Sequence, residues 1–233
     1  METQTKILLG FILIIFLSLA QVTTGLIMQL GIMDNARQVT EVESPLEFMA
    51  REIVIHDSML TGKTRSALIY AYAGDYEMVY ESKAKYDVIA EELDYLLGRD
   101  IRILLRQSRR SEDLMVNAVL ALDEIERINR ELVELERKAF EAILEEDFDT
   151  AFDLIAGEEY NTYKDEFYRN YKEFADIEHQ VTTEKRSDVF RIAERLIIID
   201  FLIAIFITFA VIATLFVIRS FITKLKEKYA KKK

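Results

Sequence analysis

Histidine occurs twice in these 233 residues, at positions 56 and 179, and cysteine does not occur at all. A carboxylate metal site in a helical bundle takes two Glu-x-x-His motifs and two further glutamates. Ile53 stands three residues before His56 and Asp176 three before His179, so neither histidine carries the motif. Without cysteine there is no thiol nucleophile, no thiolate zinc site and no disulfide. Gly62-Lys63-Thr64 ends like a phosphate-binding loop, but the upstream glycine is missing and the neighbouring residues read as helix. No G-x-S-x-G motif occurs. His56 shares a helical stripe with Met49, Ile53 and Leu60, the place of an interior or interface histidine rather than a pH switch. These residues point away from an enzyme, a bound metal or a cofactor.

What remains is binding chemistry. Arg65, Tyr72, Tyr160, Tyr163 and Lys164 are the candidates for holding a ligand, each with a purely structural or solvated reading beside it. Arg99, Arg102, Arg106, Arg109 and Arg110 alternate with Ile101, Ile103, Leu104 and Leu105, a basic and amphipathic stretch. It reads either as a connector that packs its leucines and balances nearby carboxylates, or as a contact for lipid headgroups.

The elements that must position these groups are helices. The chain has one proline and seven glycines. Ser44-Pro45-Leu46-Glu47 has the form of a capping box with proline at the first helical position, so a helix is expected from about 45 to 73. Gly74 stops it, Asp75 caps a second helix to about Leu97, and Gly98 ends that one. Ser111 opens a third helix to about Glu145. A short helical piece spans Asp147 to Gly157, and a fourth long helix begins near Glu158 with no evident break. In the third, Leu114, Ala118, Ala121, Ile125, Ile128, Leu132, Leu135, Ala139 and Ala142 recur at spacings of four and three, the pattern of coiled-coil or bundle packing. Asp123, Glu124, Glu126, Arg127, Arg130, Glu131, Glu134, Glu136 and Arg137 read as its solvated face. Val79, Tyr86, Ala90, Leu93 and Leu97 repeat the pattern in the second helix. Tyr160, Tyr163, Phe167, Tyr171 and Phe174 form an aromatic core stripe in the fourth.

Two apolar stretches bracket this middle, 7–30 and 196–218, each long enough to cross a bilayer. Asp200 lies near the outer end of the second and reads as an interfacial group. The first has two readings, a retained helix or a cleaved signal with Ser18-Leu19-Ala20 before the cut; resumed apolar character at Leu26 to Ile32 favours the retained helix. Arg219, Lys224, Lys226, Lys228 and Lys231–Lys233 follow the second span, which puts the C-terminus in the cytoplasm. The expected layout is a cytoplasmic N-terminus (1–6), a transmembrane helix (7–30), an extracellular domain (31–195), a second transmembrane helix (196–218) and a basic cytoplasmic tail (219–233). Of the 30 basic and 41 acidic residues, 22 and 38 fall in 31–195, a net charge of −16 that argues against nucleic acid as a partner of that domain. Lys224, Lys226 and Lys228 are candidates for holding anionic inner-leaflet lipid. The fold class expected is all-α: an extracellular antiparallel four-helix bundle flanked by two transmembrane helices.

This layout resembles the four-helix-bundle sensor domains of methyl-accepting chemotaxis receptors and related sensor kinases. Ala71-Tyr72-Ala73-Gly74-Asp75-Tyr76 is similar to their tip between the first and second helices. Leu135 to Phe140, Glu145 to Ala151, and Gly157 to Tyr160 with Lys164 are similar to their third-to-fourth crossover. The resemblance covers residues 1 to about 218 and implies a homodimeric, non-enzymatic sensor that passes ligand or partner binding through its spans. Only about 15 residues follow the second span, without the HAMP linker and output domains of that family. The expectation is a sensor half whose separate signalling partner carries the output, a fragment of a receptor, or a bundle put to other use. The competing expectation is a membrane-anchored scaffold or interaction protein, with a filled core and an exposed apolar or charged face.

Overall fold

The computed structural model describes residues 2–230, with side chains from 5 to 226. The cations at Lys231–Lys233 and the side chain of Lys228 lie outside the described residues. Among the described residues there is no strand. The elements are α1 (Glu2–Gln38), a π turn (Val39–Glu43), α2 (Ser44–Tyr72), α3 (Tyr76–Tyr95), a second π turn (Leu96–Asp100), α4 (Ile101–Gln107), α5 (Glu112–Leu144), α6 (Phe148–Ala156) and α7 (Glu158–Ala230). They divide into two compact units, residues 37–185 and residues 1–36 with 186–233.

In the first unit, α2, α3, α5 and the early part of α7 line one core. Leu46, Ile53 and Leu60 enter it from α2, and Val79, Tyr86 and Leu93 from α3. Ile125, Ile128, Leu132 and Ala139 come from α5, and Tyr160, Phe167 and Phe174 from α7. The heptad spacing of α5 is thus its core stripe, with Leu114 half-buried at the start. Tyr86 packs edge-on to Phe140, their ring centroids 5.1 Å apart.

Two turns share one design. Gly74 N–H donates to Ala71 C=O and Asp75 N–H to Tyr70 C=O, both at 2.9 Å. Glu146 N–H reaches Ile143 C=O at 3.2 Å and Asp147 N–H reaches Ala142 C=O at 2.9 Å. Both are Schellman ends, which need a left-handed residue; Gly74 supplies it at φ 75° and Glu146 at φ 62°. The next residue then caps the following helix: Asp75 accepts from Met78 N–H and Asp147 from Thr150 N–H. Tyr72 and Phe148 stack at 4.6 Å, so the two turns are neighbours.

Three sequence expectations are corrected here. α2 starts at Ser44 with proline in its first turn, but no capping box forms there, because α1 and the π turn run into it without a break. The π turn is a local widening of the kind that accommodates a proline ring in the next turn. Gly98 does not end the second helix. Leu93, Leu97, Ile101 and Leu105 are all buried, and a π turn carries the chain through the glycine to Gln107. Glu136 is not on a solvated face but 1% exposed.

The second unit holds the apolar parts of α1 and α7, two helices long and apolar enough to cross a membrane. Their close approach is set by Gly10, where a Cβ would collide with the Thr214 hydroxyl.

Candidate functional site

Between α2 and α7 lies a cleft of about 360 Å³, walled by Ser58, Thr61, Gly62 and Arg65 on one side and Tyr160, Asn161, Lys164 and Tyr168 on the other. The helical period explains the grouping. Residues 58, 61, 62 and 65 share one face of α2, and 160, 161, 164 and 168 one face of α7. Gly62 has no packing reason to be glycine, since a Cβ there would meet nothing within 4 Å. A mid-helix glycine costs about 1 kcal/mol relative to alanine. Its missing side chain leaves the cleft open.

Behind the cleft sits a buried polar network. Tyr160 OH donates to Glu136 Oε1 at 2.5 Å, and Thr61 Oγ1 lies 3.0 Å from Tyr160 OH and 3.3 Å from Glu136 Oε1. Lys164 Nζ donates to Asp57 Oδ1 at 2.6 Å and lies 5.3 Å from the Tyr160 ring centre. Asp57 is 2% exposed and its Oδ2 has no hydrogen-bond partner. Burial pushes the Glu136 carboxyl above the usual range, with the Lys164 charge and the Tyr160 hydrogen bond opposing it. Burial, then the charge of Glu136, raises the Tyr160 and Tyr86 hydroxyls far above the usual phenol value. The Arg65 guanidinium is exposed and forms no ion pair among the described residues. The cleft therefore offers the Arg65 cation, with Lys164 already held by Asp57 and Thr61 by Glu136, and further donors in Ser58, Tyr168 and Asn161, a set that can receive an anionic group.

No protein-family model, curated protein or solved structure matches this chain.

Of the sequence candidates, Arg65, Tyr160 and Lys164 meet in this cleft. Tyr72 and Tyr163 do not: Tyr72 stacks on Phe148 at the turns, and Tyr163 is half-buried against the core. Asp57 and Glu136 escaped sequence reasoning, although a signal existed. Ile53, Asp57, Leu60, Thr64 and Ala67 form an alternating four-three stripe, and Ile128, Leu132, Glu136 and Phe140 a row of spacing four. A carboxylate on either pattern must be buried.

The basic stretch divides. Ile101 and Leu105 enter the core, as a packing connector requires. Arg102 donates to Asp123 and Glu126, each at 2.6 Å, and balances those carboxylates. Arg106 is exposed. The Arg109 backbone carbonyl accepts from Lys185. Arg110 is not at a surface: its side chain is 0% exposed and pairs with Glu43 and Glu178. A guanidinium enclosed this way is closed to headgroups. Lys224 and Lys226 lie on α7.

A second, larger hollow of about 730 Å³ lies between α2 and α3, lined mainly by Phe48, Met49, His56, Val88, Tyr95 and Leu96. Phe48, Val88 and Tyr95 are each more than half exposed. His56 is half-buried there, its Nδ1 2.8 Å from Glu52 C=O and its Nε2 3.5 Å from Glu92.

Proposed function

We propose that this chain is a membrane-anchored sensor module of chemoreceptor type, whose 37–185 unit lies outside the cytoplasm and binds a small ligand bearing an anionic group. The binding signal passes through the membrane helices to a separate output protein. The observation that carries this reading is the cleft of Arg65, Lys164, Tyr160 and Tyr168, because it lies between α2 and α7. These are the two helices that run on into the apolar segments, α2 back through the π turn to α1 and α7 forward to Ala230. A ligand that draws the two walls together shifts one against the other, and small shifts of packed helices are a known route for transmission. The apolar segments support the membrane assignment. Leu8, Phe16, Ile27, Phe206 and Phe216 are all more than half exposed, whereas a soluble protein's core helix would bury them.

The test is thermal melting of the full chain in detergent or nanodiscs against amino acids and mono- and dicarboxylates. A true ligand raises the midpoint by mass action. Arg65→Ala and Gly62→Leu abolish that rise, and Gly62→Leu does so while leaving or raising the ligand-free midpoint, because it fills the cleft with a better helix former. If no compound raises the midpoint, or the rise survives both substitutions, the sensor reading fails.

A second reading is favoured by the α2–α3 hollow. An exposed apolar face of this kind fits a scaffold or a self-association surface. The chain then forms homodimers through Phe48, Val88 and Tyr95, and Val88→Glu turns them into monomers in light scattering.

A further inference from the structure

Where α2 follows the first π turn, three charged side chains are fully enclosed. Glu43, the last residue of the turn, and Glu178 of α7 flank Arg110, which precedes α5; all three side chains are 0% exposed. Arg110 grips Glu178 with both ends of its fork, at 2.6 and 2.9 Å, and reaches Glu43 Oε2 at 3.1 Å. Its Nε donates to Ser108 Oγ at 2.8 Å, and Ser108 Oγ donates to Glu43 Oε1 at 2.7 Å. Gln38 Nε2 bridges Glu43 Oε1 at 3.3 Å and the Gln107 carbonyl at 3.1 Å. Thr182 Oγ1 donates to the Glu43 backbone carbonyl at 3.2 Å. The cluster thus ties α7, the α4–α5 linker and the π turn into one knot.

The π turn is the unusual partner in this knot. It contains one residue more than an α turn, closed by Ser44 N–H on Val39 C=O. Such single turns are rare in helices and concentrate at functional positions. Two features hold this one open. Pro45 has no N–H, and in an uninterrupted α-helix its ring would press on the carbonyl of Glu41. The Gln38 amide, just before the turn, is held across it by Glu43 and the Gln107 carbonyl. Closing the turn to α geometry rotates Gln38 and the residues before it by about 100° and moves them about 1.5 Å relative to α2, which carries the Gln38 amide away from Glu43 and the Gln107 carbonyl.

We infer that the Glu43–Arg110–Glu178 knot is a latch that holds the Val39–Glu43 π turn open, and that its release closes the turn and rotates α1 about its own axis. Two carboxylates share one guanidinium, so the latch is poised: loss of the single cation leaves both acids enclosed and opposed. The device stands independently of what the α2–α7 cleft binds. It supplies a rotation of α1, which is distinct from any sliding of α7.

The chain lacks cysteine, so a spin-label pair can be placed cleanly in the full protein by Arg37→Cys and Glu184→Cys. Both positions are exposed, and Arg37 pairs with Glu41 one turn along its own helix. Electron–electron distance measurement in nanodiscs gives one distance in the otherwise wild-type protein. Arg110→Met adds a second population displaced by about 5 Å or more, as rotation of a labelled helix by one residue requires. Adding Pro45→Ala enlarges that population by removing the obstacle to α geometry. If folded Arg110→Met keeps the single original distance, the latch is overturned and the cluster is only a stabilising contact. Should Arg110→Met fail to fold, Glu43→Gln decides in its place: it keeps the side chain's size and removes its charge. A second distance supports the latch and an unchanged one overturns it.

Discussion

Glu136 is the residue on which the core of the 37–185 unit turns. Buried beside Tyr86 and Tyr160, it holds its proton to higher pH than it would in the unfolded chain. The native state therefore binds more protons than the unfolded state above the ordinary carboxyl value of 4.5, and the stability Glu136 contributes at low pH is lost as pH rises through its raised native value. Glu136→Gln removes that loss while still offering an oxygen to Tyr160 and Thr61. The expected result is a melting midpoint that rises relative to wild type at pH 7–8 and changes little or falls at pH 4. Equal changes at both pH values would show that the acid's protonation plays no part. Lys164 is the partner of the other enclosed acid, donating to Asp57, which is 2% exposed. Lys164→Met strands that carboxylate and should cost about 3 kcal/mol in chemical denaturation.

At the scale of the element, the two turns pose a direct test of backbone strain. They share the Schellman hydrogen bonds and the aspartate cap, but one places glycine and the other glutamate in the left-handed position. Glycine bears no penalty there, whereas a residue with a Cβ costs about 1 kcal/mol. Glu146→Gly should therefore stabilise the protein by about 1 kcal/mol, and Gly74→Ala should destabilise it by a similar amount, both read from denaturant midpoints at unchanged slope. The sequence carried these helices well where one face decided them. Gly74-Asp75, Ser111 and the four-three repeat of α5 all marked real boundaries or real core. It misled where a local stop signal met a continuing apolar row. Pro45 stands between buried Val42 and Leu46, and Gly98 between buried Leu97 and Ile101. In both places the gain from burying the next turn outweighed the local preference, and the helix passed through by widening to a π turn. The site was legible as residue types, Arg65, Tyr160 and Lys164, because cations and hydroxyls on neighbouring helix faces are visible in a sequence. The carboxylates behind them were not, because every acid on a charged helix looks solvated until its stripe is traced.

At the scale of the whole molecule, charge and apolar surface are distributed in opposite senses. The 31–195 stretch carries a net −16, while the fifteen residues after 218 hold seven cations and one acid. The apolar run of α7 separates the two and exposes Phe201, Phe206, Phe209 and Phe216. On the proposed reading, the cations just beyond the apolar run of α7 are what would hold that end in the cytoplasm. Residue 10 bears on the other anchor. A Cβ at Gly10 would collide with the Thr214 hydroxyl, so α1 and α7 pack closely within their own unit, the packing expected of two retained spans. Both points reduce to one experiment on single-cysteine proteins, which the absence of native cysteine makes clean. Glu131→Cys sits on the exposed face of α5, and Lys226→Cys lies beyond the apolar run of α7. In intact cells a membrane-impermeant maleimide should label position 131 and spare position 226 until the membrane is opened. A third reporter, Thr5→Cys, should remain with the mature protein and stay protected like position 226. Labelling of 226 from outside would reverse the topology. Loss of residue 5 from the mature chain would make the first span a signal, and α7 would then carry the anchor alone.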